Sequence, residues 1–130
     1  MKRIVVLGAG ESGTGAAILA KSKGMDVFVS DMGTISPVYQ ALLDQHQIAW
    51  ESGKHTPEFI LNADEVIKSP GIPLTAPLVK QLIEQGTPIL SEIVLNTFLR
   101  PNQPSSIRLF CSLHTHAGVK TSALSLVLLL

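Results

Sequence analysis

The 130-residue sequence predicts an α/β domain of the Rossmann-like kind. The expected architecture is an open, parallel, five-stranded sheet with helices on both faces, followed by an irregular C-terminal tail. Three observations carry this prediction. Short apolar runs alternate with helix-patterned stretches through residues 1–92. The links between them are short, so each strand must return over a face of the sheet and lie parallel to the last. A glycine loop, Gly8-Ala9-Gly10-Glu11-Ser12-Gly13, stands directly between the first apolar run and the first helix pattern.

Taken in order, strand one is expected at about Arg3–Leu7, where Ile4-Val5-Val6-Leu7 is unbroken by any polar residue. Helix one follows from about Gly13 to Lys23. Ala16, Ala17 and Ala20 keep it slim against a sheet, and Gly24 is its left-handed stop. Strand two is Asp26–Ser30. Ser36-Pro37, a cap residue before a first-turn proline, opens helix two, which runs to about Gln45. Strand three is short, about Gln47–Glu51, and a one-turn helix capped by Thr56 with Pro57 follows it. Strand four is about Asp64–Lys68, with Lys68 at its end facing solvent. Helix four spans about Pro77–Gln85, its apolar face formed by Leu78, Leu82 and Ile83 and its end marked by Gly86. Strand five is Pro88–Ser91.

Composition narrows the function classes. Ten basic and ten acidic residues give a formal net charge of zero, so no electrostatic attraction to nucleic acid or to an anionic membrane is expected. No stretch approaches the ~20 apolar residues that cross a bilayer. The apolar run after Lys2-Arg3 breaks at Gly8, short of a signal peptide. One cysteine, Cys111, excludes an internal disulfide and suits a reducing compartment. The expected location is the cytoplasm.

The glycine loop points to an anion. Glycines there allow a tight turn and a close approach of backbone to ligand, and the following helix aims its unpaired amides at the turn. Ser12 can donate to a phosphate; Glu11 offers only its backbone, since its carboxylate would repel one. Asp31 closes strand two about 20 residues on, where a ribose hydroxyl would lie in a dinucleotide site. Ser69-Pro70-Gly71 follows strand four at the same carboxyl edge, where open parallel sheets bind their ligands. The plainer reading is that the glycines serve only packing, that Asp31 caps a turn, and that Ser69-Pro70-Gly71 is an ordinary loop. Trp50 reads as a partly buried packing residue. Cys111, His114 and His116 have metal-ligand spacing but lack a fourth partner nearby, and His46 and His55 lie far off in sequence. No nucleophile elbow, zinc-protease motif or triad is present, so no catalytic residue and no metal ligand is assigned.

Three segments together carry a resemblance. They are Val6-Leu7-Gly8-Ala9-Gly10-Glu11-Ser12-Gly13, Val29-Ser30-Asp31, and Ala63-Asp64-Glu65-Val66-Ile67-Lys68-Ser69-Pro70-Gly71-Ile72-Pro73. With the ending Pro88-Ile89-Leu90-Ser91-Glu92-Ile93, residues 1–93 resemble the N-terminal domain of the Mur ligase family, in its D-glutamate-adding branch. The resemblance implies a uridine-nucleotide site that holds the UDP end of UDP-N-acetylmuramoyl-L-alanine. By position, Gly10, Glu11, Ser12 and Gly13 would meet the diphosphate. Asp31, Met32 and Gly33 would line the uridine pocket, and Ser69, Pro70 and Gly71 would hold uracil and ribose. The resemblance also implies that a full-length enzyme uses ATP and magnesium to phosphorylate a substrate carboxylate, on a central domain absent from residues 1–93.

The text changes after Glu92. All ten acidic residues and seven of the ten basic ones precede that point, and residues 94–130 contain no acid. Gly118-Val119-Lys120-Thr121 is a broken echo of a phosphate-binding loop, because His114 and Val119 stand where its glycines belong. The expectation is two segments: a UDP-binding domain over 1–93, and an atypical tail over 94–130 that is poorly ordered or arises from a frameshift or truncation. The chain alone is expected not to ligate. Two other readings stay open: an NAD-binding regulatory module of the kind found in potassium-transport regulators, which Ser69-Pro70-Gly71 speaks against, and a non-functional truncated fragment, which the apolar end Ser125–Leu130 favours.

Overall fold

The structure is a computed structural model that describes residues 1–91. Expectations placed on residues 92–130, including the irregular tail, the Cys111/His114/His116 grouping and the echo around Lys120, lie outside the described residues.

Nine elements alternate along the described residues: β1 (Arg3–Leu7), α1 (Glu11–Ser22), β2 (Asp26–Asp31), α2 (Pro37–Gln45), β3 (Ala49–Ser52), α3 (Pro57–Ile60), β4 (Glu65–Lys68), α4 (Pro77–Glu84) and β5 (Ile89–Ser91). All five strands are parallel, in the order β3-β2-β1-β4-β5. The chain winds outward from β1 in one direction through β2 and β3. It then returns to the other flank of β1 with β4. The order therefore reverses between β1 and β4, which is the position where open parallel sheets leave a crevice.

The unbroken apolar run of β1 is explained by its central place. Ile4 and Val6 join Val27, Val29 and Ile67 on one face, beneath Ala16, Ala17 and Ala20 of α1 and Leu43 of α2. Val5 and Leu7 join Phe28 and Val66 on the other, against Ile60 of α3 and Val79 and Leu82 of α4. Alternate residues thus feed two cores, and neither face of β1 meets water. The alanines of α1 let that helix lie close to the sheet, as their size suggests. Gly24 and Gly86 both take positive φ (82°) just past their helices, the conformation expected of glycine stops.

Several expectations are corrected. Helix α1 begins at Glu11, two residues before Gly13, because the glycine loop itself supplies the first turn. Neither Ser36 nor Thr56 makes a side-chain cap hydrogen bond. Pro37 already sets the first turn of α2, and the Ser36 carbonyl accepts from Tyr39 and Gln40. The Thr56 hydroxyl donates to the Glu51 carboxylate, a stronger acceptor than a carbonyl. Lys68 does not face solvent: its ammonium donates to the Ser69 carbonyl at 2.9 Å and the Ile72 carbonyl at 2.7 Å, staying half-buried under the loop after β4. Trp50 packs partly buried against the α1/α2 core, as expected, and its Nε1 donates to Asp44 at 2.8 Å.

Candidate functional site

Strand ends bring the predicted motifs together. The Gly8 amide donates to the Ser30 carbonyl and the Ser69 amide to the Leu7 carbonyl, both at 2.9 Å, so the loops after β1, β2 and β4 rise side by side from one sheet edge. Gly8 has φ +102°, and a β-carbon there would lie 2.7 Å from the Ser69 Cβ. Only glycine fits, both for its backbone conformation and for the approach of the next loop. The Ser69 Cβ hangs directly on backbone and cannot swing away.

Asp31 ties two of these loops. One carboxylate oxygen accepts from the Ala9 amide at 2.7 Å, and the other from the Gly33 amide at 2.8 Å. The Asp31 and Gly33 carbonyls in turn accept from Gly53. The acid that ends β2 therefore fastens the glycine loop to its own turn, while each of its oxygens keeps a lone pair for a ligand hydroxyl.

Between these loops lies a cavity of about 650 Å³. Gly8, Ala9 and Gly10 form one wall; Asp31, Met32 and His55 form the second; Ser69, Gly71, Ile72 and Pro73 form the third, and the start of α4 closes the far side. Of the ten predicted contacts, Gly10, Asp31, Met32, Ser69 and Gly71 line this cavity. Glu11, Ser12 and Gly13 form the first turn of α1, Gly33 donates to Asp31, and Pro70 is exposed, none of the five lining the cavity. Gly10 is the N-cap of α1 with no side-chain cap, so the amides of the first turn depend on solvent or a ligand for acceptors.

Sequence reasoning missed His55, Pro57 and the apolar wall from Ile72 to Gln81. His55 follows β3 at the same carboxyl edge as the other loops, a placement that could have singled it out. Its imidazole is no metal ligand here: among the described residues no three His, Cys, Asp or Glu side chains gather to hold a metal.

Behind His55 sits a buried polar cluster. Ser30 is fully buried, and its hydroxyl lies 2.7 Å from Glu51 Oε1, 2.6 Å from His55 Nδ1 and 3.2 Å from the Lys54 carbonyl. Glu51 also accepts from the Thr56 amide at 2.7 Å and from its hydroxyl. Burial pushes the Glu51 carboxyl up. The Thr56 and Ser30 donors and the charge of Lys54 outweigh it and hold the group below the ordinary carboxylate value. Burial holds the His55 imidazole below its usual value, against the pull of the Glu51 and Asp31 carboxylates. No helix among the described residues is long and apolar enough to cross a membrane.

Comparison with known proteins agrees with this geometry. The family model described as "Mur ligase MurD-like, N-terminal domain" matches residues 2–91. A UDP-N-acetylmuramoylalanine--D-glutamate ligase of Bacteroides fragilis is 71% identical over 93 residues, which are 72% of this chain and 21% of that protein. The ligase of the same name from Cytophaga hutchinsonii is 41% identical over 124 residues, 95% of this chain and 24% of its own length, a match that takes in most of 94–130. Among solved structures, a murein peptide ligase from Psychrobacter arcticus superposes with a TM-score of 0.67 at 20% identity, covering 75% of this chain and 20% of that one, and so shares the fold. The chain spans about a fifth to a quarter of the length of these curated relatives.

Proposed function

This chain belongs to the Mur ligase family, in its MurD-like N-terminal domain, and from that premise we propose that it holds the UDP end of UDP-N-acetylmuramoyl-L-alanine for a D-glutamate-adding ligase of peptidoglycan synthesis. The observation that carries the proposal is the shared cavity: Gly10, Asp31 and Ser69 come from three strand ends and meet in one crevice at the point where strand order reverses. The first-turn amides of Glu11, Ser12 and Gly13 supply donors for the diphosphate, helped by the positive end of the α1 dipole. Asp31 accepts from ribose hydroxyls. Ser69 and Gly71, with Met32 opposite, hold the nucleoside, Pro70 and Gly33 shape the turns that carry them, and the apolar wall from Ile72 to Leu78 shields it from water.

The chemistry of ligation belongs to a longer enzyme. Phosphorylation of the substrate carboxylate needs ATP and magnesium, and this proposal puts both on segments beyond residue 93. Residues 1–93 are proposed as the binding domain, which accords with a family match ending at residue 91. The Cytophaga match, running through most of 94–130, weighs against a tail wholly foreign to the family. The chain by itself is proposed to bind and not to ligate.

Calorimetric titration of the purified chain with UDP and, separately, NAD tests the reading. UDP binding tighter than NAD binding is expected; tighter NAD binding would overturn it in favour of a dinucleotide module.

A further inference from the structure

The cluster of Ser30, Glu51 and His55 has a constraint in its hydrogens. A serine hydroxyl has one proton to donate, and here three neighbours are within reach: Glu51 Oε1 at 2.7 Å, the Lys54 carbonyl at 3.2 Å and His55 Nδ1 at 2.6 Å. Glu51 and the carbonyl can only accept while the carboxylate is ionised. Were Ser30 to donate to the imidazole, its oxygen would face the Glu51 oxygen at 2.7 Å with no proton between them, an opposed pair of lone pairs in a buried place. The hydroxyl therefore donates to Glu51 and accepts from Nδ1–H of His55. The tautomer is assigned from this network: Nδ1 carries the proton, and the neutral ring has its lone pair on Nε2. The cluster is not a hydrolytic triad, since Ser30 has no exposure and the carboxylate orients the serine rather than the imidazole.

His55 lines the nucleotide cavity beside Asp31 and Met32. With Nδ1 spent inside, the polar atom left for a ligand is Nε2, an acceptor. The α1 end of the cavity offers donors suited to an anion. A nucleoside has its own donors, ribose hydroxyls and the imide N–H of a uracil, and these need acceptors. We propose that His55 is a specificity residue of this site, fixed by Ser30 and Glu51 as an acceptor for a donor group on the bound nucleoside. The inference rests on the UDP reading above and adds to it a residue and a direction of hydrogen bonding. Burial favours the neutral ring that this role requires.

Two measurements test it on the full chain. Long-range proton–nitrogen NMR of the unliganded protein reads the tautomer directly: a protonated Nδ1 with a bare Nε2 is expected, and the reverse overturns the proposal without reference to any ligand. Titration then compares UDP with 2′-deoxy-UDP, 3′-deoxy-UDP and N3-methyl-UDP, each lacking one donor, on the wild type, His55→Phe and His55→Gln. His55→Phe is expected to weaken UDP about three- to tenfold, the range of one neutral hydrogen bond. His55→Gln should recover part of the loss, because its amide oxygen reaches the place of Nε2. One analogue should lose the same factor on the wild type and nothing further on His55→Phe, which names the donor that His55 reads. UDP binding equal in wild type and His55→Phe overturns this inference alone. A wild type that keeps the expected tautomer yet binds no UDP overturns the nucleotide reading, and with it the role given to His55. If His55→Phe fails to fold, three analogues all matching UDP on the wild type still overturn it.

Discussion

Gly8 and Gly10 belong to one motif, yet the geometry assigns them different work, and alanine at each separates the two. At Gly8 the backbone has φ +102°, outside the comfortable range of any residue with a side chain, and an added β-carbon meets the Ser69 Cβ at 2.7 Å. Strain of this kind costs about 1–3 kcal/mol, and forcing a carbon into a filled space costs about 1–3 kcal/mol more. Gly8→Ala should therefore destabilise by about 2–6 kcal/mol. At ~0.05–0.15 kcal/mol per residue, a domain of this size holds only ~5–14 kcal/mol in all. With a urea slope of ~2 kcal/mol/M, in the middle of the usual range, the midpoint should fall by roughly 1–3 M. At Gly10 nothing lies within 4 Å of an added β-carbon and φ is −75°. Gly10→Ala should keep stability within about 1 kcal/mol, while its methyl enters the cavity and weakens UDP. Urea melts followed by circular dichroism, paired with UDP titration, read both. A Gly8→Ala variant as stable as the wild type, or a Gly10→Ala variant the less stable of the two, would refute the reasoning that links Gly8 to the loop after β4.

Other consequences are open to the same methods. Asp31→Asn cannot accept from both Ala9 and Gly33, so it should lose about 1–3 kcal/mol of stability and most UDP affinity; melts and titrations showing neither change would remove Asp31 from the centre of the site. Arg3 joins the amino ends of the strands: it bonds Asp26 at 2.6 Å, Asn62 at 2.9 Å and the Phe59 carbonyl at 2.9 Å, and lies over the Phe28 ring. Arg3→Met should cost about 1–3 kcal/mol by urea melt and leave UDP binding unchanged, being at the opposite sheet edge from the cavity. Stability should fall in acid in two windows. His55, with its folded value depressed, binds its proton more readily when unfolded, so stability declines as pH drops from about 6.5 toward that lower value. Glu51, also depressed, contributes stability that is present above about 4.5 and disappears as pH falls through its folded value. A pH series of melts should show Glu51→Gln lacking the lower window and retaining the upper one.

The sheet was legible because its signals were redundant. Ile4-Val5-Val6-Leu7, a short, mostly β-branched run that ends at a glycine, suits a strand buried on both faces, and Gly24 and Gly86 stand just past helix ends. The side-by-side placing of the glycine loop, Asp31 and Ser69 followed from strand alternation, since parallel strands put all their carboxyl ends on one edge. What the sequence hid was partner choice. Thr56 has the look of a cap, but its hydroxyl answers Glu51, five residues back and brought near only by the turn after β3. Lys68 reads as a solvent-facing strand end until the loop after β4 folds its carbonyls around the ammonium. His55 carried no local pattern at all; its meaning comes from Ser30, on a neighbouring strand.

These hidden pairings share a direction. Asp31 to Ala9 joins the end of β2 to the glycine loop, Lys68 ties the end of β4 to the carbonyls of Ser69 and Ile72, and Ser30 ties β2 to Glu51 of β3 and to His55 in the loop after it. Each fixes a wall of the site before any ligand arrives, and a site fixed in advance loses less ordering free energy on binding. Among the described residues, none that lines the cavity is a lysine or arginine; the donors on offer are the Ser69 hydroxyl, the Gln81 amide and, beside the cavity, the backbone amides at the start of α1. On the proposed reading, an anion there would meet fixed dipoles of the described residues rather than mobile charged side chains. Such a site would discriminate by shape and by hydrogen-bond direction, and in the proposal made for His55 a single buried serine sets which group the imidazole accepts.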